Sequence, residues 1–496
     1  MANYFYDMIP REEFDRIPYL PTMGEFVEWI RKEYAAMPAL SDQTNTIDYE
    51  TLCSRVARRR AFIEGLGLPK GAHIALMDRN SQDLIELFLA VTSAGYVAMN
   101  FPPSLPEMAV VGCCHKFDIS AIFVGKDFEP LTAKLQGVKV CSAGSIADEE
   151  APVAKVDPDS PLAIFFTGGT TGSPKGAVLS HRAFMRGSYN AVFKPGKVIG
   201  VHRYIALLPL SHVFGAIAGT MGCFYTGSLI YTCEDMKATI GKLPVLKPTI
   251  LVIVPGICDI LAGLVKLYGP QFLGGELRMI ISGAANVPPR LVDTFSKLGV
   301  EFCFGYGLTE TANLTSANAD ALEKPTSIGK IYPGQETKIV DGELWVKGDN
   351  LFSGYYNDPE KTAEALTPDG WLRTGDLCRF DDEGYLYITG RIKNLIILAN
   401  GENVSPESLE EPFYADPCVR DAMVKEDELN GNPVIAVEIL PLMPAFDGKP
   451  WEEVEAYMHK LVDKINATLP STHQISKVTV RTEDFKRTGS MKVSRV

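Results

Sequence analysis

Short apolar runs alternate with amphipathic segments along roughly the first two thirds of the chain. Residues 73–77 are mostly apolar, as in a buried strand, and residues 82–93 repeat apolar positions at helical spacing. The same alternation predicts further strands at residues 96–99, 120–124, 161–166, 204–208, 249–254 and 277–281. Strands separated by helices form βαβ units, in which the helix connects parallel neighbours. The pattern therefore predicts an α/β fold with mainly parallel sheets.

The pattern of apolar runs and turn residues changes twice towards the C-terminus. Residues 328–391 contain short strands separated by Gly, Asp and Asn turns, which predicts a small β-rich subdomain. Beyond them lie apolar strands at residues 394–398 and 434–440 and an amphipathic helix from residue 451 to about residue 468. The predicted units are an N-terminal body of two βαβ-type lobes (residues 1–327) plus the β-rich subdomain, together residues 1–391, and a small α+β C-terminal domain (residues 392–496).

Charge and cysteine content narrow the class of protein. The 496 residues include 48 basic and 61 acidic side chains, for a formal net charge of −13. Nucleic acids are bound mainly by clustered lysine and arginine, so this balance argues against a nucleic-acid partner. The ten cysteines are scattered without a CxxC pair, which argues against a zinc site or a disulfide framework. They indicate reduced thiols and predict a cytoplasmic location.

Residues 204–233 contain no Asp, Glu, Lys or Arg. Thirty uncharged residues are long enough to span a bilayer. The run is nevertheless interrupted by Pro209, His212 and several glycines, and it divides into a strand, a small-residue helix and a second strand. Parallel sheets covered on both faces produce such runs, so we predict a buried core segment and no transmembrane segment.

Residues 165–176 read FFTGGTTGSPKG, an apolar strand that runs into a glycine- and threonine-rich loop. Glycines let the backbone approach a phosphate and point N–H groups at it, while hydroxyls and a lysine add further donors. The loop is not a common P-loop, because Pro174 stands where that motif has glycine before the lysine. It predicts a phosphate-binding loop of another type.

Four further motifs follow this loop along the chain. They are GYGLTET at residues 305–311, GWLRTGDL at residues 370–377, GRIKN at residues 390–394 and TGSMKV at residues 488–493. Together with the loop, they resemble in order and spacing the motifs of the adenylate-forming superfamily of acyl-CoA synthetases, luciferases and peptide-synthetase adenylation domains. The resemblance covers about residues 50–496 and is strongest to acyl-CoA synthetases.

The resemblance implies a two-step reaction that uses ATP, Mg²⁺ and CoA. A carboxylic acid, fatty or aryl, would be activated to acyl-AMP with release of pyrophosphate, and the acyl group would then pass to the thiol of CoA. The resemblance also implies that the C-terminal domain is mobile about a hinge at Lys393. Its rotation would bring the loop near Gly401 to the thiol tunnel for the second step.

Specific nucleotide-binding residues are also implied by the resemblance. The phosphates of ATP would contact Thr167, Gly168, Gly169, Thr170, Thr171, Gly172 and Lys175. The adenine would lie against Gly283, Ala284, Ala285, Tyr306 and Gly307, and the ribose against Asp376 and Arg391. The metal would be held by Glu310 with Thr170. The catalytic set would be Lys492, His212, Glu310 and Thr309, with Lys492 bridging the carboxylate and the α-phosphate.

The acid would lie along the uncharged run. The implied acyl pocket is formed by Val213, Phe214, Ile257 and Leu314, with His212 at its mouth. Residues 211–219 contain no acidic side chain, which disfavours an α-amino acid because its ammonium group would need one. An apolar pocket indicates a fatty or aryl acid.

The C-terminal motif departs from the family pattern. Lys486, Arg487 and Met491 stand where the family has Pro, Lys and Gly, so the turn before Lys492 is expected to differ. The compact segment at residues 339–371 lacks the insertion of fatty acyl-AMP ligases, which favours completion of the second step. Two alternatives stay open: a stand-alone enzyme that loads a phosphopantetheine carrier protein, and a non-catalytic nucleotide or acyl binder. A homodimer is also left open.

Overall fold

The protein is described by a computed structural model that covers residues 9–167, 175–398, 402–429 and 432–486, together with Val493 and Arg495. Its strands are β1 (Pro38–Ser41), β2 (Thr46–Asp48), β3 (His73–Met77), β4 (Val97–Asn100), β5 (Ile119–Val124), β6 (Lys139–Ser142), β7 (Pro161–Thr167), β8 (Lys175–Ser180), β9 (Phe193–Lys194), β10 (Lys197–Val198), β11 (Arg203–Ile205), β12 (Leu229–Tyr231), β13 (Ile250–Ile253), β14 (Met279–Ser282), β15 (Glu301–Tyr306), β16 (Ser316–Asn318), β17 (Lys330–Ile331), β18 (Gln335–Val340), β19 (Glu343–Gly348), β20 (Gly354–Tyr355), β21 (Leu372–Phe380), β22 (Leu386–Arg391), β23 (Ile396–Ile397), β24 (Asn403–Val404), β25 (Val419–Leu429), β26 (Asn432–Pro441) and β27 (Ile475–Val480).

Helices of three kinds connect these strands. The α-helices are α1 (Arg11–Asp15), α2 (Met23–Tyr34), α3 (Tyr49–Gly65), α4 (Gln82–Ser93), α5 (Glu107–Lys116), α6 (His181–Asn190), α7 (Gly222–Tyr225), α8 (Met236–Gly241), α9 (Leu243–Leu246), α10 (Pro255–Tyr268), α11 (Pro289–Ser296), α12 (Pro359–Ala365), α13 (Pro406–Tyr414) and α14 (Trp451–Asn466). Phe214–Met221 is a π-helix, and 3₁₀ turns occur at Lys126–Lys134, Pro270–Leu273, Thr309–Thr311, Ile392–Asn394, Met443–Ala445 and Ser471–His473.

Two large sheets form the N-terminal part and confirm the predicted α/β fold. Their strand orders are β17-β16-β15-β14-β13-β11-β12-β1-β2 and β20-β8-β7-β4-β3-β5-β6. The central pairings are parallel, from β1 through β15 in the first sheet and among β7, β4, β3, β5 and β6 in the second. Antiparallel strands are added at both edges of the first sheet and at one edge of the second, beginning with the pairs β15·β16, β1·β2 and β7·β8. Parallel strands linked by helices are the architecture that the alternating pattern predicts.

One continuous hydrophobic core joins the two large sheets. It includes Leu76 from β3 and Tyr204 from β11, and both side chains are buried. The amide of Asn80 donates from Nδ2 to the carbonyl oxygens of Ala206 and Leu208, each at 2.7 Å, so this buried side chain links the segment after β3 to the segment after β11. The sheets therefore form a single body rather than two independent lobes.

Smaller sheets follow in the chain. The β-rich segment forms a four-stranded sheet, β18-β19-β21-β22, while β20 from the same segment joins the seven-stranded sheet by pairing with β8. The C-terminal strands form the sheet β25-β26-β27, which packs with α13 and α14 around a core of its own. This separate core supports the boundary near residue 391 that we propose between the body and the C-terminal domain.

The uncharged run at residues 204–233 is core structure. It contains β11, the π-helix, α7 and β12, and all its residues are buried except Pro209, His212, Leu229 and Tyr231, which are partly exposed. Among the residues that the structure describes, no helix combines the length and apolar character needed to cross a membrane.

Most predicted elements match the structure, and the differences are local. The predicted strand and helix at residues 73–77 and 82–93 have the observed bounds of β3 and α4, whose first turn is capped by the side chain of Ser81. The predicted strand at residues 394–398 is mostly wrong. Only Ile396–Ile397 is a strand, because Asn394 ends a 3₁₀ turn and its Nδ2 donates to Glu407 Oε1 at 2.5 Å.

The buried imidazole of His181 makes stability depend on pH. His181 begins α6 with no exposed surface, its Nδ1 accepts the Met23 N–H at 3.2 Å, and burial lowers its pKa to about 4. Between pH 6.5 and 4 the unfolded chain takes up a proton that the folded chain refuses, so stability falls as pH falls. A pKa lowered from 6.5 to about 4 corresponds to about 3 kcal/mol of folding stability, which is fully lost below pH 4.

His181→Gln is therefore expected to reduce the loss of free energy of unfolding at acid pH. The glutamine amide oxygen replaces Nδ1 as acceptor but does not titrate. Urea unfolding at pH 7 and pH 4.5 should show a smaller drop for the variant, by about 2 kcal/mol, than for the parent protein. The exposed His115 provides the control, since His115→Gln should leave the drop unchanged. An equal drop in parent and His181→Gln would contradict the prediction.

Candidate active site

Four neighbouring parallel strands of the nine-stranded sheet carry predicted site residues at their carboxyl ends. His212 follows β11, Ile257 follows β13, Gly283 follows β14, and Tyr306 is the last residue of β15. In open α/β sheets, ligands bind in the crevice outside the carboxyl ends of the strands. The sheet therefore gathers residues that are far apart in sequence at one edge.

Gly283 lies where the ends of β14 and β15 meet the π-helix. A Cβ at this position would lie 3.3 Å from the Gly305 carbonyl oxygen and 3.4 Å from Cζ of Phe214. Such contacts are tighter than usual, so glycine lets the Phe214 ring lie against this edge. Ala284 follows with φ of 67°, a left-handed conformation that costs an alanine about 1–2 kcal/mol. Ala285 is exposed beside it.

Tyr306, Asp376 and Arg391 form a cluster between two sheets. The Tyr306 hydroxyl donates to Asp376 Oδ2 at 2.5 Å, and Arg391 Nε lies 3.1 Å from Asp376 Oδ1. Asp376 and Arg391 are cross-strand partners in β21 and β22. Burial raises the pKa of Tyr306 well above 10, and the neighbouring Asp376 charge raises it further, so the phenol stays a hydrogen-bond donor. The cluster holds a buried carboxylate in one orientation at the strand ends.

Gly307 makes room for the turn that presents Thr309 and Glu310. A Cβ on Gly307 would lie 1.6 Å from the Asn313 carbonyl oxygen, which no side chain tolerates. The chain then makes the 3₁₀ turn Thr309–Thr311 and reverses through left-handed conformations at Ala312 and Asn313. The GYGLTET motif is thus a tight hairpin-like turn, which fixes Thr309 and Glu310 just beyond the end of β15.

Glu310 and Lys175 are linked through Tyr355. The Tyr355 hydroxyl donates to Glu310 Oε1 at 2.6 Å, and Lys175 Nζ lies 5.0 Å from the centroid of the Tyr355 ring. Thr167 pairs with Lys175 in the ladder between β7 and β8, so the described ends of the glycine-rich loop face each other. Burial, and then the Glu310 charge, raises the pKa of Tyr355. A carboxylate, a phenol and an ammonium group therefore converge beside this loop.

The arrangement around Glu310 fits Mg²⁺ that arrives with a nucleotide. Magnesium is usually bound by one or two carboxylates together with substrate phosphates, rather than by an all-protein cage. Within the described ranges no group of three or more His, Cys, Asp or Glu side chains is placed to hold a metal. Glu310, linked through Tyr355 to Lys175 at the described end of the glycine-rich loop, matches the first arrangement. Thr170, the other predicted metal ligand, lies outside the described residues.

Comparison with known families decides the class of the chain. Residues 27–356 match the family described as AMP-binding enzyme, and residues 393–496 match the AMP-binding enzyme C-terminal domain. The first match alone spans more than half of the 496 residues. The chain belongs to the AMP-binding enzyme family.

Several relatives of this AMP-binding enzyme are CoA ligases by name. It is 28% identical over 403 residues to 4-coumarate–CoA ligase-like 6 of Arabidopsis thaliana, covering 72% of this chain and 70% of that protein. It is 28% identical over 462 residues to indoleacetate–CoA ligase of Aromatoleum aromaticum, covering 84% and 88%. It is 31% identical over 356 residues to long-chain-fatty-acid–CoA ligase FadD15 of Mycobacterium tuberculosis, covering 62% and 58%.

Solved structures share the fold of this AMP-binding enzyme. The anthranilate CoA ligase AuaEII, in complex with anthranoyl-AMP, superposes with a TM-score of 0.84 at 20% identity, covering 97% of this chain and 96% of that one. ATP-bound MatB from Rhodopseudomonas palustris superposes with a TM-score of 0.81 at 22% identity, covering 95% and 97%. The predicted combination of a large N-terminal part with a smaller C-terminal one is confirmed.

The predicted acyl wall of the AMP-binding enzyme is built from buried apolar residues. Val213 directly precedes the π-helix and Phe214 begins it, and both are buried, as are Ile257 and Leu314. His212 is partly exposed just before them, and its Nδ1 accepts the N–H of Phe214 at 3.4 Å. π-Helical turns are rare in proteins overall, but those that occur are often found at functional sites. The wall and its histidine thus lie at the same sheet edge as Tyr306.

The predicted hinge residue is described by the structure, whereas seven other predicted site residues are not. Lys393 is exposed in the 3₁₀ turn Ile392–Asn394, directly after β22. The predicted residues that lie outside the described part of the chain are Gly168, Gly169, Thr170, Thr171, Gly172, Gly401 and Lys492.

Tyr355 is the site residue that sequence reasoning missed. Its position becomes meaningful only through β20, whose pairing with β8 brings Tyr355 opposite Ala177 and next to the glycine-rich loop. The aromatic pair at residues 355 and 356 beside Gly354 is the available signal, but nothing local in the sequence shows which strand it pairs with.

Proposed function

We propose that this AMP-binding enzyme is an acid–CoA ligase that forms AMP. A carboxylate attacks the α-phosphorus of ATP, a new acyl–O–P bond forms, and pyrophosphate leaves. The thiol of CoA then attacks the acyl carbon, the thioester forms, and AMP leaves with the electron pair of the broken bond. The observation that carries the proposal is the convergence of the Tyr306–Asp376–Arg391 cluster and the Lys175–Tyr355–Glu310 cluster at the strand ends of a chain from this family.

The first cluster suits the nucleoside. Asp376 is a buried carboxylate whose position is fixed by the Tyr306 hydroxyl and the Arg391 guanidinium, and carboxylates accept strong hydrogen bonds from ribose hydroxyls. The adenine would lie between Tyr306 and the edge made by Gly283, Ala284 and Ala285, where small residues permit close approach. Gly307 keeps this edge clear by making the tight turn after Tyr306.

The second cluster suits the phosphates. Lys175 supplies a positive charge, and Thr167 opposite it begins the loop whose N–H groups and hydroxyls would complete the cradle. Glu310 would hold Mg²⁺, which supplies positive charge against the phosphate oxygens when bound. Thr309 would contact the α-phosphate. Lys492, carried in from the C-terminal domain, would stabilise the charge that develops there during adenylation.

The predicted acyl wall and the named relatives support the class of carboxylic acid and the identity of the thiol acceptor. Buried Val213, Phe214, Ile257 and Leu314 offer apolar contacts suited to a fatty or aryl chain. The named relatives include an indoleacetate–CoA ligase and a long-chain-fatty-acid–CoA ligase, which supports an acid of this class and CoA as acceptor. The carrier-protein acceptor, the homodimer and the non-catalytic binder have no such support. The cytoplasmic location is supported by ten free cysteines.

The proposed function is tested by pyrophosphate release from ATP and Mg²⁺ with a panel of fatty, aryl and α-amino acids. Fatty or aryl acids should give release and acyl-AMP, and CoA should then convert the adenylate to the thioester. A competition between CoA and a phosphopantetheinylated carrier protein identifies the acceptor. Lys492→Ala should lower pyrophosphate release about 10²-fold, because one stabilising contact to the developing charge is lost.

Three results would count against this assignment. Absence of release with every acid would favour the non-catalytic binder. Release that is undiminished in Lys492→Ala would remove the catalytic role of that lysine. Thioester formation on the carrier protein at the expense of CoA would identify the carrier-loading alternative.

A further inference from the structure

Helix α10 carries apolar side chains on both of its faces. Towards the core, Ile257 and Leu261 are fully buried. On the opposite side, Ile260 is 44% exposed and Leu267 is 69% exposed, and their positions two turns apart place them on one face. Tyr268, the last residue of the helix, is 56% exposed. A helix that is apolar all round is normally covered on every side, so the outer face is suited to a contact outside the chain.

The exposed apolar surface continues onto the neighbouring helix α9. The 3₁₀ turn Pro270–Leu273 follows α10 and packs against both helices. The Tyr268 ring stacks on Phe272 of this turn, with the ring centroids 5.6 Å apart. A Cβ at Gly274, directly after the turn, would lie 2.7 Å from a carbonyl oxygen of α9, so the turn lies against that helix. Val245 of α9 is 79% exposed and extends the apolar surface.

The same part of the chain is rich in positive charge. Residues 236–275, which include α8, α9 and α10, contain four lysines and one acidic residue, in a chain whose formal net charge is −13. The acidic residue, Asp259, is paired with Arg290 at 2.5 Å. The four lysines are all exposed, and they are Lys237, Lys242, Lys247 and Lys266.

Neighbouring groups offset these lysine charges only in part. Lys242 and Lys266 donate to uncharged oxygens, those of a glutamine amide at 2.9 Å and of a proline carbonyl at 3.2 Å. Lys247 Nζ lies 3.9 Å from Glu276, whose carboxylate is already paired with Arg203. The surface therefore combines exposed apolar side chains with positive charge. We call it the basic–apolar patch, and it comprises Val245, Ile260, Leu267, Tyr268, Lys237, Lys242, Lys247 and Lys266.

An anionic bilayer surface complements this combination of groups. Leucine, isoleucine and tyrosine side chains enter the interfacial region of a bilayer. Lysine ammonium groups attract anionic headgroups, and their methylene stems can lie along apolar surface. A second copy of the chain is a poorer partner, because a two-fold interface would place the patch against itself and bring like charges together.

We propose that the basic–apolar patch binds anionic membrane surfaces and places α10 against the headgroup region. Membrane binding goes beyond the proposed function and also bears on its substrate. Ile257 of the acyl wall lies in the first turn of α10, and Leu267 lies about 15 Å further along the helix. Long-chain acids concentrate in bilayers because their apolar chains leave water. For a fatty acid, the substrate class of the proposed function, the patch would hold the acyl wall close to the supply of substrate.

Vesicle binding of the full-length protein tests this proposal without any catalytic step. The probes are vesicles of phosphatidylcholine alone and vesicles in which about one quarter of the lipid is phosphatidylserine. Co-sedimentation should give a partition coefficient at least about tenfold higher for the phosphatidylserine vesicles. Raised salt should reduce that difference, because it screens the lysine charges. Sedimentation velocity without vesicles reports whether the patch joins two copies of the chain.

One pair of variants tests the apolar part of the patch. Leu267→Glu removes an apolar side chain and adds a negative charge, so it should lower the partition coefficient about 20-fold. Met108→Glu is the matched control, because Met108 is 76% exposed on α5, a helix of the seven-stranded sheet. It should change the partition coefficient less than about twofold. Both residues are exposed, and thermal unfolding midpoints close to that of the parent protein confirm that the variants fold.

A second pair of variants tests the basic part. Lys242→Gln combined with Lys247→Gln removes the charges on either side of α9, and it should lower binding to phosphatidylserine vesicles about tenfold. Binding to phosphatidylcholine alone should stay the same, because those vesicles carry no net charge. Lys116→Gln combined with Lys126→Gln is the matched control, since both lysines are exposed and lie outside residues 236–275.

Several results would contradict membrane binding by this patch. Equal binding to both kinds of vesicle, or binding to neither, would exclude an anionic membrane as the partner. Undiminished binding of Leu267→Glu would show that another surface meets the lipid. A dimer that Leu267→Glu dissociates would identify a second copy as the partner. An active enzyme that binds no vesicles would refute membrane binding alone, whereas a protein that binds phosphatidylserine vesicles but releases no pyrophosphate with any acid would refute the proposed function alone.

Discussion

Replacing Asp376 with alanine is expected to lower kcat/KM for ATP about 10³-fold. Two hydrogen bonds from ribose hydroxyls to a carboxylate are worth about 4 kcal/mol together, which corresponds to that factor. The carboxylate is buried between Tyr306 and Arg391, so its hydrogen bonds are little weakened by water. Pyrophosphate release at varied ATP concentrations provides the measurement, and the KM for the acid should change far less.

Two variants of the same cluster serve as controls for Asp376→Ala. Tyr306→Phe keeps the aromatic surface that would lie against the adenine and removes only the hydroxyl that donates to Asp376 at 2.5 Å, so a loss of about tenfold is expected. Asp376→Asn keeps the shape of the side chain and one acceptor oxygen. Its loss of kcat/KM for ATP should lie between those of Tyr306→Phe and Asp376→Ala. If Tyr306→Phe is as impaired as Asp376→Ala, the cluster acts by holding the fold, and the assignment of Asp376 to the ribose is wrong.

The sequence pattern predicted the layered architecture well, because buried strands and capped helices leave local signals. The bounds of β3 and α4 were predicted correctly, and the α/β class follows from their alternation. Residues 394–398 were predicted as one strand because their apolar run looks like one. A side-chain contact from Asn394 to Glu407, thirteen residues away, determines the turn instead. Such contacts have no periodicity, so the sequence alone does not reveal them.

The candidate site was predicted mainly through motifs, and its internal connections were not. The cross-strand pair of Asp376 and Arg391 depends on the register of β21 and β22, and the bond from Tyr306 spans 70 residues. Tyr355 entered the site only because β20 leaves the β-rich segment and pairs with β8. Motifs identify residues that a reaction needs, whereas the residues that hold them in place depend on how distant strands pair.

Glu310→Gln is expected to lower kcat of adenylation about 10³-fold, even at saturating Mg²⁺. In the parent protein the Tyr355 hydroxyl lies 2.6 Å from Glu310 Oε1. The glutamine amide has the same size and can still accept this hydrogen bond, but it lacks the negative charge that a hard cation requires. The Mg²⁺ concentration for half-maximal pyrophosphate release should rise as kcat falls. Thioester formation from a synthetic adenylate should be nearly unchanged, because no pyrophosphate leaves in that step.

Tyr355→Phe is the matched control for the charge of Glu310. It removes the hydroxyl that orients the carboxylate and keeps the ring that lies 5.0 Å from Lys175 Nζ, so the carboxylate stays but is less fixed. A loss of about tenfold is expected, with a smaller change in the Mg²⁺ requirement than in Glu310→Gln. If Glu310→Gln keeps the Mg²⁺ dependence of the parent enzyme, Glu310 is not the metal ligand. Its bond to Tyr355 would then serve only to close the turn beside the phosphate loop.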